Sequence, residues 1–238
     1  MQVYDGMTFT RGGRRFKLNL PYDHDHDAPW DECDGHGEVR DASVRDADRG
    51  ELELSNDRGY KRFYDFIASM KIAKRDGWGC GDMTDDDMRE ASTILQAFAD
   101  ADAQLVAEDH IDEADAYVFD PADIEQIKLA VAVNRDYKHL RGWCNDEWTF
   151  ICVDVTLLDE DGDDDAAVET ESLSGVESDE EDYIGTLALE HADTINARLD
   201  KRLVAEIDAS RPDMQVENWD YDHTRPAEYS AAVEHDHE

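Results

Sequence analysis

Lysine is scarce in this chain and acidic residues dominate it. Seven lysines and 16 arginines stand against 40 aspartates and 21 glutamates, so the formal net charge is −38 over 238 residues. So large a charge repels itself at low ionic strength, and salt screening makes a compact state more favourable. The preference for aspartate, and for arginine over lysine, indicates adaptation to a cytoplasm kept at molar salt. We therefore expect a haloarchaeal cell, or a virus that grows in one, as the source.

Long apolar runs and paired cysteines are also absent. No window reaches 18 consecutive apolar residues, and the first residues lack the apolar stretch of a signal peptide. We therefore expect a soluble intracellular protein with no membrane partner. The cysteines form no C-x-x-C pair, which predicts free thiols at Cys33, Cys80, Cys144 and Cys152. Apolar residues still make up 40% of the chain, which is enough for a folded core.

The sequence lacks the motifs of nucleophilic catalysis and nucleotide binding. Ser172-Leu173-Ser174-Gly175 misses the first glycine of a G-x-S-x-G turn, and no phosphate-binding glycine motif opens a helix. The acidic turn at Asp159 fails the calcium-loop pattern, because Asp164 and Thr170 occupy the positions of the required glycine and glutamate. We therefore do not expect an enzyme of these classes.

Hydrophobic periodicity predicts an α+β fold, with a small, mostly antiparallel sheet packed against about four helices. Strands are predicted for a hairpin over residues 3–20, for a start near Leu52, and for residues 148–158. Helices are predicted over residues 60–75, from Thr84 to about Glu108, from Pro121 to about Gly142, and from Ser178 onward. Residues 21–50 form a polar stretch that is rich in turn-forming residues.

Local signals place the ends of these helices. In the first helix, Phe63, Phe66, Ile67 and Met70 form an apolar stripe, and Gly77 suits a left-handed C-cap. The predicted start signals of the other three helices are Thr84 with Asp87, Asp120 with Pro121, and Ser178 with Glu181.

Composition divides the chain into three segments. Residues 1–58 hold the predicted hairpin and an acidic loop that contains histidine and cysteine. Residues 59–209 form the predicted helical and α+β core, and residues 210–238 make a polar C-terminal tail. Because this length is ordinary for one domain, we expect one folded unit plus the tail.

Cations cluster between residues 58 and 75, where Asp65 is the single acidic residue. We call this cluster the basic island; its members are Arg58, Lys61, Arg62, Lys71, Lys74 and Arg75. A smaller cluster comprises Arg11, Arg14, Arg15 and Lys17. These cations either neutralise acidic residues within the protein or form a docking face for phosphate or an acidic partner. On a helix, Lys71, Lys74 and Arg75 share one outward face.

The acidic loop also contains the densest group of candidate metal ligands, which are His24, His26, Cys33 and His36. Thiolate and imidazole are the ligands that a tetrahedral zinc ion prefers, and the C-x2-H spacing of Cys33 and His36 would suit one. A bound zinc would also order a loop that is poor in apolar residues. The alternative is a solvated surface loop bent at Gly35 and Gly37, since alternation of aspartate and histidine arises easily in so acidic a chain.

Two groups of rings are assigned to the core rather than to function. His191 lies on the apolar side of the last predicted helix. Trp143, Trp148 and Phe150, close to Arg141, suit a hydrophobic corner better than a platform for stacking bases. We therefore do not expect direct binding to nucleic acid.

Four sequence blocks carry a resemblance to a known group of proteins. They are PWDECDGHG (residues 29–37), DRGYKRFYDF (57–66) continuing to RDGW (75–78), LRGWCNDEW (140–148) and SLSGVES (172–178). Their succession resembles small uncharacterised proteins encoded by tailed bacterial and archaeal viruses, over about residues 29–185. The resemblance implies a viral context and no catalytic residues. In such relatives we expect a histidine in place of Cys33, which keeps a metal-capable side chain, and a bulky aromatic in place of Ser174.

These observations favour a non-enzymatic viral protein that acts by protein–protein contact in the cytoplasm of an infected haloarchaeal cell. In one version, the carboxylates of residues 159–182 imitate the phosphates of nucleic acid. A second hypothesis is a virion structural or assembly component that docks through its cations. A third is a metal-dependent enzyme built on residues 24–36, although no nucleophile or general base is identifiable beside that cluster. The expected partner is a host or viral protein.

Overall fold

The protein folds into two antiparallel sheets with covering helices, as described by a computed structural model. The structure describes residues 3–32, 35–42, 46–55, 61–159, 161–162 and 169–210. In chain order its elements are β1 (Thr8–Arg11), β2 (Arg14–Asn19), α1 (Pro29–Glu32), β3 (Glu38–Ala42), β4 (Glu51–Ser55), β5 (Lys61–Asp65), α2 (Phe66–Asp76), α3 (Asp85–Ala107), a 3-10 turn (Glu113–Asp115), α4 (Ile124–Cys144), β6 (Phe150–Leu157), β7 (Thr170–Glu177) and α5 (Glu181–Ala209). The predicted α+β class is confirmed.

The first sheet has the strand order β1-β2-β6-β7, and each neighbouring pair is antiparallel. Phe16 pairs with Leu157 and Leu18 pairs with Val155, so the N-terminal hairpin joins a strand from far along the chain. Helix α5 packs on this sheet and closes one core with Ile184, Ala188 and Ile195. The predicted hairpin and the predicted strand near residues 148–158 are both present.

The second sheet has the order β3-β5-β4 and packs against α2 and α4, and α3 packs against α4. Its core contains the fully buried side chains of Tyr64, Phe66, Leu95 and Leu140. Both sheets combine strands from either side of residue 58, where composition predicted a segment boundary. Of the predicted tail, residues 211–238 lie outside the described residues.

The helix predicted over residues 60–75 is wrong in its first part. Residues Lys61–Asp65 form β5, which pairs with β3 on one side and β4 on the other, and α2 begins at Phe66. Phe63 and Tyr64 are adjacent and both fully buried, because successive side chains of a central strand enter opposite, covered faces. The apolar spacing that suggested one helix therefore spans a strand and the first turns of α2.

The third helix begins later than predicted. Helix α4 starts at Ile124, and the side chain of Asp123 accepts a hydrogen bond from the Gln126 amide at 3.1 Å. Asp120 instead accepts one from the Ala122 amide at 2.9 Å, which stabilises a turn before the helix. The N-cap of α4 is therefore Asp123 and not Asp120.

The capping box predicted at Ser178 is also wrong. The Thr149 amide donates a hydrogen bond to Ser178 Oγ at 3.0 Å, so this hydroxyl ties the end of β7 to the start of β6. Helix α5 begins at Glu181, and its N-cap residue Glu180 makes no side-chain hydrogen bond to the first turn. The Ser178 hydroxyl therefore binds the backbone next to the paired strands β6 and β7 and does not cap α5.

Other local signals are confirmed. Gly77 ends α2 with φ of 70°, in the left-handed region that favours glycine. Thr84 and Asp87 form the predicted reciprocal capping box at the start of α3. Strands β3 and β7 were not predicted as strands, because both lie at a sheet edge and contain few buried apolar side chains.

Candidate functional site

A groove of about 560 Å³ lies between α2 and the N-terminal part of α4. We call it the α2–α4 groove. Its apolar lining includes Met70 and Ala73 of α2, Trp78 just after that helix, and Leu129 of α4. The left-handed cap at Gly77 turns the chain sharply at the end of α2, which brings Trp78 to the groove. An exposed cleft with several apolar side chains is a common binding surface.

Two lysines of the basic island line this groove. Phe66, Met70 and Ala73 are buried on one face of α2, so Lys71 and Lys74 project from the helix into solvent at the groove. They are three residues, or about one turn, apart. Neither ammonium group forms an ion pair or hydrogen bond with any residue that the structure describes. This is notable in a chain with 61 acidic residues.

The other described members of the basic island are bound within the protein. Lys61 Nζ lies 2.6 Å from Glu53 Oε2, and Arg75 Nε lies 2.6 Å from Asp76 Oδ1. The pKa of Asp76 is lowered, chiefly because Arg75 donates hydrogen bonds to its carboxylate. These cations serve the internal neutralisation that the sequence offered as one alternative.

Arg62 is held by a carboxylate and by two indole rings. Its Nε donates a hydrogen bond to Asp41 Oδ1 at 3.0 Å. Its guanidinium carbon lies 5.4 Å from the ring centroid of Trp30 and 5.7 Å from that of Trp143, which is cation–π geometry. Arg58 lies outside the described residues. The described cations of the basic island are therefore of two kinds. Lys61, Arg62 and Arg75 bind a carboxylate of the protein, whereas Lys71 and Lys74 have no ionic partner among the described residues.

The α4 side of the groove is acidic and partly apolar. Asp123 and Glu125 line it, and Glu125 Oε1 accepts a hydrogen bond from Lys128 at 2.7 Å. Tyr117 also lines the groove, and burial together with the charge of Asp123 raises its pKa to about 12, so its phenol stays protonated at neutral pH. Beside these residues, Val118 is 74% exposed. The groove thus has two lysines on its α2 side, and carboxylates together with apolar surface on its α4 side.

A smaller cavity of about 270 Å³ adjoins the groove and shares Lys71 and Tyr117 with it. Asp102, which is 2% exposed, lies at this cavity and accepts a hydrogen bond from Arg49 Nε at 2.7 Å. The same carboxylate accepts a hydrogen bond from the Tyr117 amide at 2.6 Å. Asp102 therefore fixes the backbone that presents Tyr117 to the groove.

Of the predicted zinc ligands, His36 is bound most firmly within the protein. Its Nδ1 lies 2.7 Å from Asp136 Oδ1, while Asp136 Oδ2 accepts hydrogen bonds from the Tyr64 hydroxyl at 2.7 Å and from the Gly37 amide at 2.8 Å. This carboxylate partner was not foreseen from the sequence, because it comes from α4. The contact orients the imidazole and leaves Nε2 as its other nitrogen.

His26 and His36 lie at the two ends of a series of ring contacts. The His36 ring stacks on His139, with centroids 6.0 Å apart, and His139 stacks on Trp148 at 4.4 Å. Trp148 then meets Phe150 edge-on at 5.5 Å, and Phe150 meets His26 at 5.0 Å. Three rings thus intervene between the two histidines. The two histidines make no direct ring contact with each other.

His26 lies beside Glu32, the last residue of α1. Its Nδ1 is buried without a hydrogen-bond partner among the described residues, and Glu32 Oε2 lies 3.8 Å from it. His24 is exposed, and its ring contacts Tyr22 with centroids 4.6 Å apart. Cys33 lies outside the described residues, and within them no group of three or more His, Cys, Asp or Glu is arranged to hold a metal ion. The zinc site stays a prediction.

His139 and His191 have opposite electrostatic surroundings. A hydrogen bond with Glu177, whose Oε1 is 3.4 Å from His139 Nε2, raises the pKa of His139. Burial lowers the pKa of His191, whose Nδ1 has no hydrogen-bond partner among the described residues. Trp148 and Phe150 are both buried, which leaves little ring surface for stacking on bases.

The carboxylates of residues 159–182 are only partly described, since 160 and 163–168 lie outside the structure. Glu169 is buried and binds both Arg198 and Arg202 of α5, and Glu171 also binds Arg198. These contacts lower the pKa of Glu169, chiefly through the hydrogen bond from Arg198. At least these two carboxylates are therefore engaged within the protein.

A comparison with protein-family models, with curated proteins and with solved structures finds no match to this chain. None of the helices in the described residues is long and apolar enough to span a membrane.

Proposed function

We propose that this protein is a non-enzymatic binding protein whose α2–α4 groove holds an acidic, amphipathic segment of a partner protein. The observation that carries the proposal is the pair of exposed lysines beside an apolar lining. Lys71 and Lys74 have no described ionic partner, while Ile67, Trp78 and Leu129, which are each partly exposed, offer apolar contact within the same groove. We further propose a viral protein acting in a haloarchaeal host, as the sequence blocks and the charge suggest.

The geometry favours a helical segment as the ligand. Lys71 and Lys74 are separated by about 4.5 Å along the helix axis, at 1.5 Å per residue. Carboxylates spaced three or four residues apart on a partner helix have a matching separation. Apolar residues on the adjoining face of that helix would enter between α2 and α4, which is a common mode of peptide recognition.

In high salt, the ionic contacts and the apolar contacts would contribute differently to binding. The Debye length is about 3 Å at 1 M salt, so charges interact there only at contact distance. Apolar contact is not weakened by such screening, and it would supply most of the affinity. The lysines would then select acidic segments and reject basic ones, since like charges placed together are unfavourable.

Peptide binding in molar KCl tests this proposal. The probe is a labelled helical peptide of about 15 residues with a leucine stripe flanked by glutamates, compared with a counterpart that carries lysines instead. We expect the acidic peptide to bind, and the double variant Lys71→Glu/Lys74→Glu to weaken it at least about tenfold. The control Arg89→Glu/Lys138→Glu changes the charge equally outside the groove and should bind as the parent does. Equal binding of both peptides, or equal loss in both variants, would refute the proposal.

A virion structural or assembly role remains a second proposal, because the same groove could hold another virion protein. The copy number of the protein in purified particles separates the two. A stoichiometric number of copies would indicate a structural component, and its absence from particles would indicate a role inside the cell.

A further inference from the structure

The C-terminal tail contains a segment of the same chemical kind as the ligand proposed for the α2–α4 groove. Residues 212–222, which we call the tail segment, read PDMQVENWDYD and combine four carboxylates with two aromatic and two aliphatic or thioether side chains. The tail segment contains no lysine or arginine. Residues 160 and 163–168, which also lie outside the described residues, are acidic but contain no aromatic residue. The tail segment therefore matches the groove better than that acidic stretch does.

Folded as a helix, the tail segment would have an apolar face and an acidic flank beside it. At about 100° per residue, Val216 and Trp219 lie about 60° apart and form the apolar face. Asp213, Glu217 and Asp220 share one flank, which is centred about 100° around the helix from that face. Such a helix is both acidic and amphipathic.

This arrangement complements the α2 side of the groove. Glu217 and Asp220 are three residues apart, as are Lys71 and Lys74, so each carboxylate can meet one ammonium group. Trp219 would then enter between α2 and α4, where part of the lining is apolar. A large aromatic side chain in an apolar groove is a common anchor of protein recognition.

The other flank of the tail segment suits the acidic α4 side of the groove. Gln215 and Asn218 on this flank are neutral, and Asp222 at the end of the segment is its one charged residue. Most of the negative charge of the tail segment would therefore lie away from Asp123 and Glu125, which line the groove on α4.

We infer that the tail segment of one copy of this chain binds the α2–α4 groove of a second copy. Near its end, α5 binds Arg14 of β2 and Glu169 next to β7, both at the first sheet, whereas the groove lies on helices that pack against the second sheet. Ser210 and Asp213 are three residues apart, which spans at most about 11 Å. The tail segment therefore begins beside the first sheet and enters a groove on another copy.

This inference rests on the proposed function, because it assigns a ligand from the chain itself to the same groove. Self-association would then compete with the binding of a partner protein. The groove would be occupied at high protein concentration and open to a partner at low concentration.

Sedimentation velocity of the full chain in molar KCl tests the inference. We expect self-association that depends on concentration. Trp219→Ala should raise the dissociation constant at least about tenfold. The control Tyr221→Ala removes an aromatic ring from the opposite face of the same helix and should leave the dissociation constant unchanged. An excess of a synthetic peptide of residues 211–223 should dissociate the assemblies.

A charge exchange distinguishes this contact from other modes of self-association. Glu217→Lys/Asp220→Lys and Lys71→Glu/Lys74→Glu should each weaken self-association, because like charges then meet in the groove. A mixture of the two variants should associate again, since the reversed tail of one fits the reversed groove of the other. A parent protein that is monomeric at all concentrations would overturn the inference, and so would a mixture no better associated than its components.

The acidic peptide with a leucine stripe separates failure of this inference from failure of the proposed function. If that peptide binds the groove while the full chain stays monomeric, the inference about the tail segment is wrong and the proposed function stands. If neither the peptide nor the tail segment binds, both are wrong.

Discussion

Lys71 and Lys74 line the same groove one helical turn apart, and neither ammonium has a carboxylate partner among the described residues. In contrast, Lys61, Arg62 and Arg75 each bind a carboxylate of the protein itself. Some cations of the basic island therefore pair with carboxylates of the protein, and the other two are available to a partner. Charge reversal of the paired cations should reduce stability, whereas charge reversal of Lys71 and Lys74 should reduce binding.

Charge reversal within the basic island gives the first prediction. Lys71→Glu/Lys74→Glu should change the free energy of unfolding in molar KCl by less than about 0.5 kcal/mol, because exposed side chains without partners contribute little to stability. Lys61→Glu/Arg62→Glu makes the same change in net charge but places glutamates beside Glu53 and Asp41. It should cost about 1 kcal/mol or more. Urea unfolding measures both, and equal losses would show that the two pairs of cations serve the same purpose.

The second prediction concerns pH and follows from His139 and His191. The Glu177 contact raises the pKa of His139, so its stabilising contribution is present below the ordinary value of about 6.5 and is lost as pH rises through the raised pKa. His139→Gln should therefore cost more stability at pH 5.5 than at pH 9. Burial lowers the pKa of His191, so its neutral form supports folding and protonation opposes it as pH falls through that lowered pKa.

The two histidines serve as controls for each other, because their pKa values are shifted in opposite directions. His191→Leu should reduce the loss of stability on acidification, whereas His139→Gln should reduce the loss of stability on the alkaline side. Urea unfolding across that pH range compares each variant with the parent protein. Parallel curves for all three proteins would contradict both assignments.

The third prediction concerns salt. With a net charge of −38, the protein should fold cooperatively in molar KCl and be markedly destabilised near 0.1 M, where the Debye length is about 10 Å. Thermal unfolding monitored by circular dichroism measures this. The same midpoint at both concentrations would contradict adaptation to molar salt, and with it the proposed haloarchaeal setting.

The fourth prediction concerns zinc. If Cys33 and His36 bind the metal with His24 and His26, protein purified without chelator should hold about one equivalent of zinc by elemental analysis. Cys33→Ala should release the metal. The arrangement also requires His36 to use Nε2, because Nδ1 is bonded to Asp136. Protein free of transition metal would leave residues 24–36 as an acidic surface segment.

The features predicted correctly from the sequence are those encoded by neighbouring residues. Gly77 and the Thr84–Asp87 capping box identify their helix ends because each signal acts within one turn. The segment Lys61–Asp65 became a strand because β3 and β4 pair with it on both sides, which no local pattern shows. Ser178 was misassigned for the same reason, since its partner Thr149 comes from a distant part of the chain.

The candidate site was predictable only in part. The sequence identified the basic island and the outward direction of Lys71 and Lys74. It could not show which cations are free, because the partners of Lys61 and Arg62 come from β4 and β3. Tyr117 and the apolar lining from α4 were also missed, since the groove exists only where α2 and α4 meet.

The most direct test of the central claim is the response of the tryptophan indole N–H signals to the acidic peptide, measured by two-dimensional NMR of the full chain in molar KCl. Trp78 lines the α2–α4 groove, whereas Trp30 and Trp143 surround Arg62 and Trp148 is buried. Single Trp→Phe variants assign each signal. We predict that the Trp78 signal moves on titration while those of Trp30, Trp143 and Trp148 stay in place, and that Lys71→Glu/Lys74→Glu abolishes the shift. A Trp78 signal that does not move at saturating peptide would contradict the account.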